Sequence, residues 1–77
     1  MTLEDQLTTF RENWNGTHVT QYDEHLTYKV VHGFAKSAAY RANQLINSLG
    51  LNLIAEMTTD DSFIIKSKKH EKGKDKY

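Results

Sequence analysis

The sequence contains no cysteine and no proline. The first absence excludes disulfide staples, thiolate metal sites and a cysteine nucleophile. The second leaves the chain without the sharpest punctuation of linkers. Long apolar runs are missing too: nothing approaches the roughly 20 residues of a membrane-spanning helix. Glu4 and Asp5 stand where a secretory leader requires basic and then apolar residues. The expectation is a cytoplasmic protein with no membrane partner. Net charge is also absent, with ten Lys and Arg against ten Asp and Glu. Seventy-seven residues allow one small domain with little stability to spare. Unstapled chains of this size often gain core by self-association, so a homodimer is expected as one option.

The zero net charge conceals a polarity. Residues 66–77 hold six lysines, Lys66, Lys68, Lys69, Lys72, Lys74 and Lys76, against Glu71 and Asp75, a net of +4. Residues 1–65 hold Arg11, Lys29, Lys36 and Arg41 against eight acids, a net of −4. A mildly acidic body therefore ends in a basic segment. The reading is one domain over 1–68 and a flexible, lysine-rich tail over 69–77, disordered when free.

The body is organised around a helix in AKSAAYRANQLINSLG. Ala35, Ala38, Ala39, Ala42, Leu45, Ile46 and Leu49 follow helical spacing and form one apolar face. Lys36, Arg41, Asn43, Gln44 and Asn47 form a face suited to water. Ser37 is the expected N-cap, with a start one or two residues earlier as the variant. Gly50 is the expected left-handed C-terminal cap. Thr2–Trp14 reads as a first helix, with Leu3, Leu7, Phe10 and Trp14 as its stripe, Thr2 as its cap and Asn15-Gly16 as its end.

Thr17–Tyr22 and Leu26–His32 are rich in β-formers and read as two antiparallel strands joined at Asp23-Glu24-His25, or as one long bent strand. Leu51–Met57 and Phe63–Lys68 alternate apolar and polar residues about the turn Thr58–Ser62, the more secure hairpin. The expected fold class is α+β, in the order α-β-β-α-β-β, with a small antiparallel sheet and the central helix on one face. Val31, Ile54 and Ile64 are apolar on the opposite side, where the first helix or a second copy of the protein would cover them.

Catalysis finds little support. Ser37, Ser48, Ser62 and Ser67 lie in no elbow or triad context. His18, His25 and His32 recur every seven residues without a metal-ligand spacing. The reading is a non-enzymatic protein without cofactor or metal. Gly33-Phe34-Ala35 echoes the RNP1 pattern of RNA-recognition strands, but a helix begins where a strand should continue.

Three binding modes remain. In the leading one, a small regulatory protein engages RNA or DNA through Lys66, Lys68, Lys69, Lys72, Lys74 and Lys76, because each phosphate neutralised releases counterions and needs no fixed geometry. A protein partner is compatible with it. In the alternative, the protein is an inhibitor or antitoxin-like antagonist whose acidic body covers a basic site, with Asp23, Glu24, Asp60 and Asp61 as contacts. Tyr40 and Arg41, a composition common in protein-binding hot spots, are further contacts. In the third, Val31, Ile54 and Ile64 form the dimer face of an assembly subunit.

Overall fold

The computed structural model describes residues 2–16 and 18–68. The lysine-rich segment 69–77 lies outside them. Helix α1 spans Leu3–Asn13, strand β1 Val19–Gln21, strand β2 His25–Lys29, helix α2 Ala35–Leu49, strand β3 Leu53–Thr59 and strand β4 Ser62–Ser67. The four strands form one antiparallel sheet in the order β1-β2-β4-β3. The expected α+β fold is therefore present, and residues 17–34 contain a hairpin rather than one bent strand.

Both helix ends expected from composition are built as the physics requires. The Thr2 hydroxyl accepts the Asp5 amide at 3.1 Å, which satisfies one of the free donors of α1's first turn. Gly50 closes α2 in the left-handed region, φ 70°, and the Leu51 amide donates back to the Ile46 carbonyl at 3.1 Å. The start of α2 differs from expectation. The helix begins at Ala35 behind Phe34, which makes no side-chain cap, and Ser37 falls within the first turn. The reason lies upstream. After Lys29 the Val30 and Gly33 amides donate to the carbonyls of Asp61 and Asp60, both at 2.8 Å. Gly33 takes φ 90°, a value that a side chain would disfavour, and the chain turns directly into the helix. β2 therefore ends at Lys29 rather than at His32.

One face of the sheet is buried. Leu26, Tyr28, Phe63, Ile65, Leu53 and Ala55 pack against Ala38, Ala39, Ala42 and Ile46 of α2 and Leu7 and Phe10 of α1. The small residues of α2 let the helix lie close to the sheet, and the large side chains come from the strands and α1. Phe10, Trp14, Tyr28 and Phe63 form a ring cluster. Phe63 stacks on Tyr28 at 5.2 Å, Trp14 stacks on Phe10 at 5.5 Å, and Trp14 meets the rings of Tyr28 and Phe63 edge-on. Gly16 runs against this cluster. A Cβ there would come within 2.8 Å of Trp14 and Tyr28 ring atoms, so the close approach requires glycine.

Two expectations are corrected. α1 does not cover the outer face of the sheet. It joins α2 on the same face, because the aromatic residues that α1 needs as partners, Tyr28 and Phe63, point that way. Asn43 is not simply a solvent-facing helix residue. Its side-chain amide donates to the Ala55 carbonyl at 3.1 Å, and its oxygen accepts the Ala55 amide at 2.8 Å. β3 is an edge strand, and this paired contact satisfies backbone groups that the sheet leaves open.

Tyr28 carries a test of the core. Its hydroxyl is buried and has no hydrogen-bond partner among the described residues. Burial pushes the phenol up to about 12 from 10.0, opposed in part by the charge of Arg11. The unfolded chain releases this proton near the ordinary value and the folded chain holds it. Its stabilising contribution is therefore complete below pH 10 and is lost as the pH rises towards about 12. Tyr28→Phe is expected to remove that part of the alkaline loss. It should also be neutral or mildly stabilising at pH 7, by up to about 1 kcal/mol, since no bond is broken. Urea midpoints measured from pH 7 to 11 check both statements.

Candidate nucleic-acid interface

The outer face of the sheet carries neither helix. Cross-strand pairing sets its rows. Thr20, Thr27, Ile64 and Glu56 form one row, and His25, Lys66 and Ile54 the next. The face is mixed rather than apolar, which lets it stay in contact with water.

Its character changes along the strands. At one end β1 turns into β2 through a two-residue Asp23–Glu24 loop closed by the Tyr22 amide donating to the His25 carbonyl at 2.8 Å. No residue of that loop has positive φ, so it is not the mirror-image turn that best matches strand twist. The flanking Tyr22 and His25 rings stack at 4.6 Å with an interplanar angle of 16°. Tyr22 is exposed and His25 half-buried. His25 pairs directly with Lys66 on β4. Lys68 follows two residues later, exposed, with its amide donating to the Asn52 carbonyl at 3.1 Å. A stacked aromatic pair, Lys66 and Lys68 thus share one end of the open face, at the point where the lysine-rich segment begins.

The local charges are not all favourable to an anion. The Lys66 ammonium sits 3.0 Å from a Glu56 carboxylate oxygen, a partly exposed pair of small worth. Asp23 and Glu24 are exposed in the turn beside Tyr22, and an open recess of about 570 Å³ on the other side of Tyr22 is walled by Glu4 and Asp23.

The opposite end of the sheet is built differently. The β3–β4 turn at Asp60 and Asp61 is tied down by Thr59, whose hydroxyl donates to the Asp61 carboxylate at 2.7 Å. That bond, and the Lys29 ammonium 3.6 Å away, hold the Asp61 carboxyl below the usual carboxylate range. Asp60 lies 3.8 Å from the His32 imidazole. His18 joins the same end, its carbonyl accepting the Lys29 amide at 2.9 Å. Among the described residues, no group of three or more His, Asp or Glu could hold a metal ion.

The sequence-expected residues are therefore sorted by place. Asp23 and Glu24 lie at one end of the sheet, while Asp60 and Asp61 lie at the other and are engaged by Thr59, Lys29 and His32. Ile54 and Ile64 are half-buried neighbours on the outer face. Val31 does not join them: it is 70% exposed in the loop after β2, carried off the sheet by the bonds to Asp60 and Asp61. Of the three residues expected to share one face, only Ile54 and Ile64 do so. Tyr40 and Arg41 occupy different flanks of α2. Tyr40 accepts a hydrogen bond from Gln44 at 3.2 Å, whereas Arg41 lines recesses towards Trp14 and Phe34. Lys69, Lys72, Lys74 and Lys76 lie outside the described residues. The pairing of Tyr22 with His25 was not anticipated, although both residues flank the Asp23–Glu24 step and a two-residue loop makes such residues cross-strand neighbours.

No protein-family model, curated protein or solved structure matches this chain. No helix among the described residues is long and apolar enough to cross a membrane.

Proposed function

We propose that this chain is a small non-catalytic regulatory protein that binds single-stranded nucleic acid through its lysine-rich C-terminal segment, with the outer face of the sheet as the adjoining surface. One observation supports the reading above the others. Lys66 and Lys68 stand beside the stacked Tyr22–His25 pair, directly before Lys69 in the sequence. Lysines track a phosphate backbone without fixed geometry, and an exposed ring accepts any base as a stacking partner. An unpaired strand fits because its bases are free to stack, whereas duplex bases are not.

The acidic turn gives a test of sign. Asp23→Asn with Glu24→Gln removes two exposed negative charges beside Tyr22. For a nucleic-acid ligand the affinity should rise by about fivefold or more at low salt, the scale of a unit-charge interaction of about 1 kcal/mol in water. Tyr22→Ala in the same assay should weaken binding, since stacking on one base is worth about 1–3 kcal/mol. Fluorescence anisotropy of a labelled single-stranded oligonucleotide reads both. Equal or weaker binding by the neutralised turn would contradict the reading.

The antagonist reading makes the opposite demand, because Asp23 and Glu24 would then be contacts and their neutralisation would release the target. In that reading the free acidic turn does the work, since Asp60 and Asp61 are already engaged by neighbouring side chains.

A further inference from the structure

A second surface lies away from the lysine end, on the helix layer. Two recesses of about 340 and 300 Å³ meet along α2 and share Val30, Ala38 and Arg41 as walls. Trp14 closes one end, and Val31 and Phe34 the other. Val31 and Phe34 are 70% and 59% exposed, although they are among the most apolar residues of the chain. The hydrogen bonds that turn β2 into α2 hold them there, since the Phe34 amide donates to the Val31 carbonyl at 2.9 Å. Arg41 is the one charged residue among these walls. Among the described residues its guanidinium has no ion pair and no hydrogen bond.

We propose that this groove docks a protein partner through a short segment that carries a bulky apolar side chain and, within about three residues of it, a carboxylate. The apolar side chain would lie between Trp14 and Phe34, over Val30 and Ala38. The carboxylate would meet Arg41, whose planar fork matches two carboxylate oxygens at once. Aromatic and arginine side chains around a small recess are the composition that dominates binding energy at protein interfaces. Charge complementarity selects the occupant. A single unpaired cation with apolar walls favours an acidic, apolar-anchored segment over a basic one, and apolar surroundings strengthen the pairing relative to open water. The groove adjoins the Asp60–Asp61 end of the sheet through the Gly33 and Val30 bonds, while Lys66 lies about four residues along β4, roughly 13 Å away at strand rise. The two surfaces can be altered independently.

A random 12-residue peptide display library panned on the immobilised full chain tests the proposal. Enriched peptides should carry Asp or Glu within about three residues of Leu, Ile, Phe or Trp. A fluorescein-labelled peptide of that consensus should lose about tenfold or more in affinity for Arg41→Gln and for Phe34→Ser, the scale of a hot-spot contact. Both positions are exposed, so neither variant should disturb the core, and circular dichroism verifies that. Absence of any enriched motif, a basic motif, or equal affinity for the variants and the parent chain would overturn it. So would concentration-dependent dimerisation that these two substitutions abolish, which would assign the groove to a second copy of the chain.

Discussion

Phe63→Ala should strip this protein of a large part of its stability and move its urea midpoint far below that of the parent chain. Phe63 is fully buried, stacks on Tyr28 at 5.2 Å and receives the edge of Trp14 at 5.9 Å. It therefore sits where β4, β2 and the end of α1 meet. Removing a buried phenyl group costs about 3–5 kcal/mol, because the transfer energy is lost and the cavity collapses only in part. A domain of this length has roughly 4–11 kcal/mol in total. No disulfide or proline restrains the unfolded chain, so nothing in the covalent structure offsets the loss. Phe63→Leu should be far milder, below about 1.5 kcal/mol, since it preserves most of the volume. Urea denaturation followed by Trp14 fluorescence separates the two. A Phe63→Ala midpoint close to that of the parent chain would mean that the ring cluster is not the centre of the core.

The second large effect concerns binding. Lys69, Lys72, Lys74 and Lys76, replaced together by Gln in the full-length chain, should remove most affinity for single-stranded nucleic acid and most of its salt dependence. Each phosphate contact on a single strand contributes a slope of about −0.7 in log K against log salt. Six such contacts, those of Lys66 and Lys68 included, predict a weakening of the parent chain of about 300-fold between 50 and 200 mM salt, of which the four substituted lysines account for about 50-fold. The quadruple variant should retain only the shallow dependence due to Lys66 and Lys68. The fold of the described residues should be unaffected, because the substituted positions follow β4, which ends at Ser67.

Much of the fold is legible in the sequence because its signals are local. The seven apolar positions from Ala35 to Leu49 can lie on one side of a helix only, and Gly50 is the residue type that the left-handed cap requires. Leu53 and Ala55 alternate with Ile54 and Glu56, which fixes their faces before any partner strand is known. The missed features are non-local. The stripe of α1 shows that one side is buried, but not which face of the sheet it meets. That choice is made by Tyr28 and Phe63, distant in sequence. The Asn43 clamp on Ala55 depends on α2 lying beside an edge strand, and an asparagine on a polar helix face gives no sign of it. Val31 reads as a strand residue by composition. The carbonyls of Asp61 and Asp60, some thirty residues later, hold the amides of Val30 and Gly33 on either side of it and bend the chain there.

The candidate site is legible to a lesser degree. The lysine run is plain in the composition. Its neighbourhood is not, because placing Lys66 beside His25 requires the β2–β4 register, and that register joins two hairpins across the whole of α2. Charge pattern thus identifies the residues that would meet a polyanion, and topology supplies the surface next to them.

The most direct measurement is a titration of a labelled single-stranded oligonucleotide with the full-length chain at several salt concentrations. Saturable binding that weakens steeply with salt is the expected result, with a slope near −4 for about six phosphate contacts. Binding that is absent at low salt, or present but insensitive to salt, would contradict it and direct attention to the groove around Arg41.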